Sequence, residues 1–344
     1  MATDPEFPLS ILDLAIIERG ATARDALTGC VAFAQRAEAR GYRRVWYAEH
    51  HNMAVIASSA TSVLIAHVAA HTRTIRLGSG GIMLPNHSPL VIAEQFGTLA
   101  SVHPGRIDLG LGRAPGSDQN TMRALRRDPR AVEWFPQDVL ELQGYLSNTT
   151  LIDGVEATPG KGTEVPLYIL GSSLFGAQLA AMLGLPYGFA SHFAPQDLEQ
   201  AVAVYRREFR PSAQLSESYV IAGVNVIAAE SDAEAQQELV AVCRARVARF
   251  VGRGQHLSEQ QADEILASPQ GRQIAAMMRY TAVGTPGAVK EYLDAFAAHA
   301  DADELIVAHA ARTQEARLRS LDLLADASGL VPAESTNPWS EDGA

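Results

Sequence analysis

The chain has 344 residues, of which 47% are hydrophobic and 19% are charged, and its formal net charge is −11. This acidic balance argues against a nucleic-acid partner or an anionic membrane surface, since both require clustered positive charge. No apolar run approaches the ~20 residues of a membrane span, and the N-terminus lacks the pattern of a signal peptide, so we expect a cytoplasmic protein that does not enter a membrane.

Short apolar runs rich in β-branched or aromatic residues alternate along the chain with segments of helical periodicity. This alternation predicts parallel strands, and eight such units favour closure into a (β/α)8 TIM barrel over the alternative, an open doubly wound sheet. Thr22, with an acid three positions later, predicts the start of the first helix. The predicted strands are Leu9–Leu14, Arg43–Glu49, Ile75–Met83, Arg106–Gly112, Val165–Leu170, Tyr187–Ser191, Tyr219–Ala228 and Glu304–His309.

Two stretches exceed the needs of a minimal barrel: the charged, turn-rich Ala114–Gln137 and a long insertion after the seventh strand, Glu230–Tyr280. Within this insertion, Gly252–Gln273 is polar with little apolar periodicity, and we predict a mobile lid there, the alternative being an ornamental surface loop. We expect one domain over residues 8–329 and a disordered tail over 330–344.

The second predicted strand ends in Glu49, His50 and His51, although apolar sequence normally continues to the end of a buried strand. Neighbouring strand residues point to opposite faces, so the two histidines cannot easily share one ion, and no third ligand has zinc-like spacing. We therefore predict no metal. The alternatives left are a polar strand end that makes local hydrogen bonds and an active-site histidine that acts as acid or base.

The third strand contains three glycines, Gly78, Gly80 and Gly81. Glycine weakens a strand because it offers no side chain to pack. The pattern is explained either by a β-bulge or by a planar ligand that lies against bare backbone.

The ends of the fourth and fifth strands together predict an anion site. Arg113 follows the fourth strand, where it suits a phosphate or a carboxylate unless it pairs with Asp118. Leu170–Ser173 follows the fifth strand and precedes a helix, so backbone N–H groups and two hydroxyls face outward there, although either serine would also serve as a plain helix cap. A polar and aromatic cluster, Ser191–Phe193, ends the sixth strand at the same rim.

No dinucleotide fingerprint is present, because the spacing of Gly110, Gly112 and Gly116 is wrong and a loop follows. A P-loop and a G-x-S-x-G motif are also lacking. The two cysteines, Cys30 and Cys243, fall inside predicted helices, so a disulfide framework is not expected and a reducing cytoplasm fits.

These strand ends in this order resemble the luciferase-like monooxygenase family over residues 8–325. The resemblance rests on Trp46–His51, Gly78–Pro85, Pro104–Arg113 and Leu170–Ser173, and it is greatest with a bacterial group that carries the motifs found at Glu49–Met53 and Leu84–Pro89.

The resemblance implies a (β/α)8 barrel, often dimeric, that binds reduced FMN at its carboxyl face and uses O2 to oxygenate a small organic substrate. It further implies that His50 is catalytic, that a non-prolyl cis peptide joins Gly80 to Gly81 beneath the flavin ring, and that Arg113 binds the flavin phosphate. Arg123 matches a second phosphate arginine less securely, because the intervening loop is shorter here. The remaining residues assigned to the flavin are Glu49, Leu170, Gly171, Ser172, Ser173, Ser191 and His192.

Since no nicotinamide site is visible, we expect a separate flavin reductase to supply reduced FMN to a homodimer. Two alternatives stay open: a deazaflavin-dependent hydride transferase and a non-catalytic flavin-binding protein. The sequence does not identify the substrate. Its bias towards arginine and alanine is typical of GC-rich bacterial genomes, which favours a tailoring step in secondary metabolism, for example on an aromatic polyketide.

Overall fold

A computed structural model describes residues 7–114, 119–251 and 257–332 of the chain, and within them parallel strands alternate with helices. The strands are β1 (Leu9–Asp13), β2 (Arg44–Tyr47), β3 (Arg76–Met83), β4 (Ile107–Gly112), β5 (Leu167–Gly171), β6 (Tyr187–Phe189), β7 (Val220–Ala228), β8 (Thr281–Gly284) and β9 (Glu304–His309). The helices are α1 (Ala23–Ala39), α2 (Thr61–Ala69), α3 (Pro89–Val102), α4 (Gln119–Ala124), α5 (Phe135–Leu146), α6 (Leu174–Leu183), α7 (Leu198–Glu208), α8 (Asp232–Val251), α9 (Glu259–Ala267), α10 (Pro269–Ala276), α11 (Pro286–His299) and α12 (Gln314–Ala327). Short 3-10 helices span Leu84–Asn86 and Pro129–Glu133.

Eight of these strands close into a barrel. Each of β1 to β6 pairs in parallel with the next strand in the chain, β7 pairs with β6 and β9, and β9 returns to β1. The predicted (β/α)8 barrel is thereby confirmed, and an open doubly wound sheet is wrong. Parallel closure brings the carboxyl ends of all eight strands to one rim, where barrels of this kind place their sites.

The ninth strand, β8, was not predicted. It pairs with Asn225–Ala228, the carboxyl half of β7, whereas β6 pairs with Val220–Ala222 near the amino end of β7. Only two of the four residues of β8 are buried, so its sequence has no continuous apolar run by which a strand is recognised.

The insertion after β7 is helical where the structure describes it. The helices α9 and α10 occupy most of the segment Gly252–Gln273, although its sequence shows little apolar periodicity. Ser258 forms a capping box at the start of α9, and few residues of the two helices are buried, among them Ala262 and Ile274. Residues 252–256 lie outside the described part of the chain, so the lid remains a prediction.

The turn-rich segment before α5 also contains short helices. Residues 119–124 form α4 and Pro129–Glu133 a 3-10 turn, while residues 115–118, including the proposed salt-bridge partner Asp118, lie outside the described ranges. At the other end of the chain, the predicted disordered tail falls mostly on residues 333–344, which are not described either. No helix in the described ranges is both long and apolar enough to cross a membrane.

Alternation along the strands separates two cores. Outward residues such as Val45 and Tyr47 pack against the surrounding helices, whereas Trp46 and Tyr168 pack inside the barrel. In the outer layer, α1 begins with the capping box that was predicted at Thr22.

The amino-terminal end of the barrel interior is filled by a buried ion network. The Nη1 atom of Arg44 lies 2.8 Å from Oδ2 of Asp108, and its Nε lies 3.0 Å from Oε1 of Glu304. Tyr168 accepts a further hydrogen bond from Arg44 at 2.7 Å, and Tyr219 donates one to Glu304 at 2.8 Å. Because this end is closed by mutually paired charges, the carboxyl end is left to hold ligands.

Candidate functional site at the carboxyl rim of the barrel

A buried carboxylate follows β2. The Nε2 atoms of His51 and His87 each lie 2.7 Å from Oε1 of Glu49, and the backbone N–H of Met83 donates to Oε2 at 3.1 Å. Burial alone would raise the pKa of Glu49, but these hydrogen bonds outweigh it and hold that pKa below its ordinary value. The same bond to Glu49 raises the pKa of His51. Glu49 is therefore an anion that orients two imidazoles.

His87 was not among the predicted site residues. It follows the 3-10 helix Leu84–Asn86 and reaches Glu49 across 38 positions of sequence. His87 belongs to the motif Leu84–Pro89, on which the family resemblance partly rests. The sequence does not show, however, that His87 would contact Glu49.

The donor atoms of Glu49, His51 and His87 lie within 4.8 Å of one another, a set that a divalent metal accepts by chemical type. Ligand atoms around one zinc ion stand roughly 3.3 Å apart, given metal–ligand distances near ~2.0–2.2 Å and tetrahedral geometry. The two separations of 2.7 Å found here are those of hydrogen bonds. The structure thus has a carboxylate between two imidazoles, in a donor set that would have to expand to hold an ion.

His50 lies between Glu49 and His51 in the chain but takes no part in the hydrogen bonds of this cluster among the described residues. Its Nδ1 atom is buried without a hydrogen-bond partner, and its backbone N–H donates to the carbonyl of Ser58 at 3.2 Å. Burial, followed by the charge of Arg249, lowers the pKa of His50. The ring is therefore neutral at neutral pH and has a free nitrogen.

His192 follows β6 and has a similar environment. Its Nδ1 atom is also buried without a partner, while its carbonyl accepts a hydrogen bond of 2.7 Å from Nδ2 of Asn225. A Cβ atom on Gly223 would stand 2.4 Å from that Nδ1, so the ring fills the space that this glycine leaves. Burial, with a smaller contribution from Arg246, lowers the pKa of His192 to about 4. Orphaned buried nitrogens of this kind are uncommon in folded proteins and suggest a ligand.

The glycine segment of β3 is irregular, as the first of its two explanations predicts, whereas contact with a planar ligand remains a prediction. The β3–β4 register shifts between Ser79 and Ile82, which is a bulge, and the peptide between Gly80 and Gly81 is cis. The cis bond implied by the resemblance is thus present. A Cβ atom on Gly81 would stand 2.7 Å from the carbonyl oxygen of Gly110, so the neighbouring strand excludes any side chain and leaves partly exposed backbone at the rim.

The residues predicted to bind an anion lie where β4 and β5 end. The guanidinium of Arg113 lies 4.0 Å from the ring centroid of Phe175, in the first turn of α6. Ser173 occupies the N-cap position of α6, yet its side chain makes no capping hydrogen bond, so capping does not occupy its hydroxyl. Open space surrounds the Cβ position of Gly171. A cation, a free hydroxyl and a helix N-terminus therefore converge; we call Arg113 with Gly171–Ser173 the anion cradle.

Three further residues assigned to the flavin lie outside the anion cradle and already contact other parts of the protein. Arg123 is exposed on α4 and donates to Oδ1 of Asn120 at 2.5 Å. Ser191 is fully buried and donates to the carbonyl of Gly223 at 2.6 Å. Leu170 packs beside the glycines of β3, β4 and β6. Direct flavin contact by these residues remains a prediction; the geometry gives Ser191 and Leu170 a supporting position behind the rim. Phe175 was missed, since an exposed aromatic in a helix carries no signal alone.

Comparison with known proteins agrees with this geometry. Residues 10–303 match a family model described as luciferase-like monooxygenase. A protein of Escherichia coli K12 named luciferase-like monooxygenase is 47% identical over 327 residues, covering 94% of this chain and 98% of that protein. The N-acetyl-S-alkylcysteine monooxygenase of Bacillus subtilis is 38% identical over 239 residues, covering 67% of this chain and 71% of that protein.

Solved structures are also similar to this chain over most of its length. Apo-MsnO8 superposes with a TM-score of 0.85 at 34% identity, covering 95% of this chain and all of that one. More distant folds include an FMN complex of the oxygenating constituent of 3,6-diketocamphane monooxygenase from Pseudomonas putida, with a TM-score of 0.65, and an F420-dependent secondary alcohol dehydrogenase, with a TM-score of 0.68. At 17% and 14% identity, these two show a shared fold alone.

Proposed function

Because the chain belongs to the luciferase-like monooxygenase family, we propose that it binds reduced FMN at the carboxyl rim of its barrel and transfers one atom of O2 to a small organic substrate. The observation that carries the choice of a flavin phosphate is the anion cradle. Arg113 stacks on Phe175 beside a helix N-terminus whose capping serine has a free hydroxyl. Such a terminus binds phosphate through its free N–H groups and its dipole.

The residues at the rim fit a flavin in two further respects. The partly exposed backbone of Gly80 and Gly81 offers a surface without side chains, against which a planar ring can lie. Beside it, His50 and His192 each have a buried nitrogen that lacks a partner and that a bound ligand would satisfy. Arg113 and Gly171–Ser173 would hold the phosphate, and the glycines would hold the ring.

When bound, reduced FMN supplies the electrons that activate O2. His50 contributes a neutral imidazole whose Nδ1 either holds or accepts a proton beside the substrate. His192 stays neutral across the physiological range because burial holds its pKa to about 4. Glu49 fixes His51 and His87 and thereby braces the segment that carries His50. The surrounding barrel limits access of water to these groups.

A separate reductase supplies the reduced flavin, since the sequence has no dinucleotide fingerprint. For the substrate, the named relative from Bacillus subtilis suggests an S-alkylated cysteine derivative, which combines a thioether with a carboxylate. A tailoring role in secondary metabolism stays a second proposal, and it rests on residue composition alone.

The test combines binding with oxygen chemistry. Purified protein is titrated with FMN and with F420, and then incubated with a flavin reductase, NADH, FMN and N-acetyl-S-methylcysteine under 18O2. We expect preference for FMN and one labelled oxygen atom in the product, with reductase alone as the control. Preference for F420 and turnover without O2 would instead support the deazaflavin hydride transferase. Flavin binding with no O2 consumption above the reductase control, across a panel of thioethers, ketones and aromatic substrates, would support a non-catalytic binder.

A further inference from the structure

The last turns of α8 lie at the rim of the barrel, beside the residues that follow β6. The rings of Phe250 in α8 and Phe193 after β6 have centroids 6.4 Å apart and planes inclined by 34°. Phe193 directly follows His192, whose ring rests against Gly223 of β7. This contact places the end of α8 next to the two neutral histidines of the site.

Three arginines in these turns face two directions. Arg244 points outward, where it pairs with Glu259 at 2.6 Å and with Asp263 at 2.6 Å, both on α9. Arg246 and Arg249 stand three positions apart, so they share one helix face, and that face is turned away from Arg244. Both side chains are partly buried. Their charges act on the site: that of Arg246 contributes to lowering the pKa of His192, and that of Arg249 contributes to lowering the pKa of His50.

Neither of these two guanidinium groups has a counterion among the described residues. Over the described ranges, Arg246 and Arg249 form no ion pair and no hydrogen bond, and the Nη1 atom of Arg246 is buried without a partner. Burial lowers the pKa of Arg246 to about 10 and lowers that of Arg249 as well. Elsewhere the fold pairs its buried arginines, since Arg44 bonds to Asp108 and Arg317 to Asp13.

Leaving two neighbouring cations partly desolvated and unpaired costs free energy, because buried charge is normally compensated by an opposite charge. The neutral histidines beside them supply no such charge. An anion from outside the chain would complete this cluster, and the fork of N–H donors of arginine can bind two oxygens of a planar carboxylate or of a tetrahedral oxyanion such as a sulfonate.

We propose that Arg246 and Arg249 bind a carboxylate or sulfonate group of the substrate and so make this enzyme selective for anionic substrates. The proposal rests on the function proposed above, because it needs the flavin to occupy the rim. It is separate from the anion cradle, which lies at the ends of β4 and β5, whereas Arg246 and Arg249 act on His50 and His192. An anionic group held there would direct the rest of the substrate towards these histidines.

The experiment uses the smallest matched pair of probes, methanesulfonate and neutral dimethyl sulfone. Protein saturated with FMN, so that the anion cradle is filled, is titrated with each probe at low ionic strength while its methyl protons are followed by saturation-transfer NMR. We expect methanesulfonate to bind at least about tenfold more tightly than the sulfone. Arg246→Met and Arg249→Met should each weaken methanesulfonate by about 10- to 100-fold, the loss that corresponds to one charged hydrogen bond.

Arg244→Met is the matched control, since it removes the same charge from the same helix on the outer face, and it should bind methanesulfonate like wild type. Equal binding of both probes to the wild-type protein would overturn the proposal, as would an equal loss in Arg244→Met. If Arg246→Met or Arg249→Met instead weakens FMN but not riboflavin, the arginines serve the flavin phosphate, which also overturns it. Circular dichroism checks folding, and Arg246→Lys, which keeps the charge, should retain the preference if the methionine variant does not fold.

Failure of the proposed function gives a different result from failure of the anion site. If the protein binds no flavin, the same titrations are run on the flavin-free protein with Arg113→Met as background, and the difference between the two probes still reports on Arg246 and Arg249.

Discussion

Replacing Arg113 by methionine tests the anion cradle most directly, because the phosphate is the difference between FMN and riboflavin at that end of the ligand. Methionine keeps an apolar stem that still packs on Phe175 and removes only the guanidinium. In the free protein that group lies 4.0 Å from the Phe175 ring centroid and is exposed, so removing it loses a cation–π contact worth about 0.5–1 kcal/mol at most. We therefore expect the variant to fold normally.

The loss of affinity follows from what the guanidinium can donate. Arginine forms charged hydrogen bonds to phosphate, and losing one costs about 1.5–3 kcal/mol, the lower part of that range being appropriate for an exposed partner. This corresponds to a weakening of FMN binding by roughly 10- to 100-fold. Binding of riboflavin should change by less than about twofold, since Gly80, Gly81 and the histidines that would contact the ring are untouched.

The assay is fluorescence quenching of FMN and riboflavin on titration with protein, for the wild type and for Arg113→Met. Arg207→Met serves as control, because Arg207 is an exposed arginine of α7 that pairs with the adjacent Glu208. Equal losses for FMN and riboflavin would refute the reasoning, since the guanidinium would then act on the ring or on the fold. An unchanged affinity for FMN would remove Arg113 from the cradle altogether.

Four further results are expected. His50→Ala should bind FMN normally but turn over about 10²- to 10⁴-fold more slowly, and full activity would exclude His50 as an acid or base. In Glu49→Gln the pKa of His51, measured by NMR titration, should fall, because Glu49 is what raises it; an unchanged value would contradict the bond. Glu304→Gln should cost about 3–5 kcal/mol in urea unfolding by leaving a buried cation short of its partner, whereas a loss below about 1 kcal/mol would contradict that account. Burial lowers the pKa of His309 to about 3, so the unfolded chain takes up a proton that the folded protein does not bind. The free energy of unfolding should therefore fall as the pH drops below ~6.5, by up to about 1.4 kcal/mol per pH unit. His309→Gln should reduce this slope, and an unaltered slope would assign it to other groups.

Most strands of the barrel could be predicted from local sequence. Strands such as Val220–Ala228 are buried at every position, so their sequences are almost entirely apolar, with Asn225 as the one polar residue of that strand. The capping box at Thr22 is complete within three residues. The polar ends of the strands could also be predicted, because Glu49, His50 and Arg113 follow apolar sequence. Parallel strands bring these residues to one rim of the barrel.

Features that depend on distant partners were not legible. The meeting of His87 with Glu49 is decided by how β3 turns into its 3-10 helix, which spacing alone does not reveal. The sequence did not single out Arg246 and Arg249, since only the packing of α8 against the rim shows that they have no acidic partner among the described residues. The short β8 escaped recognition because two of its four residues are only partly buried and the carboxyl half of β7 provides its neighbour.

The pairing between β7 and β8 also determines how the insertion is attached to the barrel. The chain leaves the barrel after Ala229 and returns at Gly284, and these two points are joined by a hydrogen bond of 3.1 Å from the amide of Ala229 to the carbonyl of Gly284. Asp232 adds a second tie by accepting from the amide of Thr285 at 3.2 Å. The two ends of the insertion that carries Arg246 and Arg249 are thus fixed together at one place on the barrel wall, so a change in its length would leave the pairing of β7 with β6 and β9 intact.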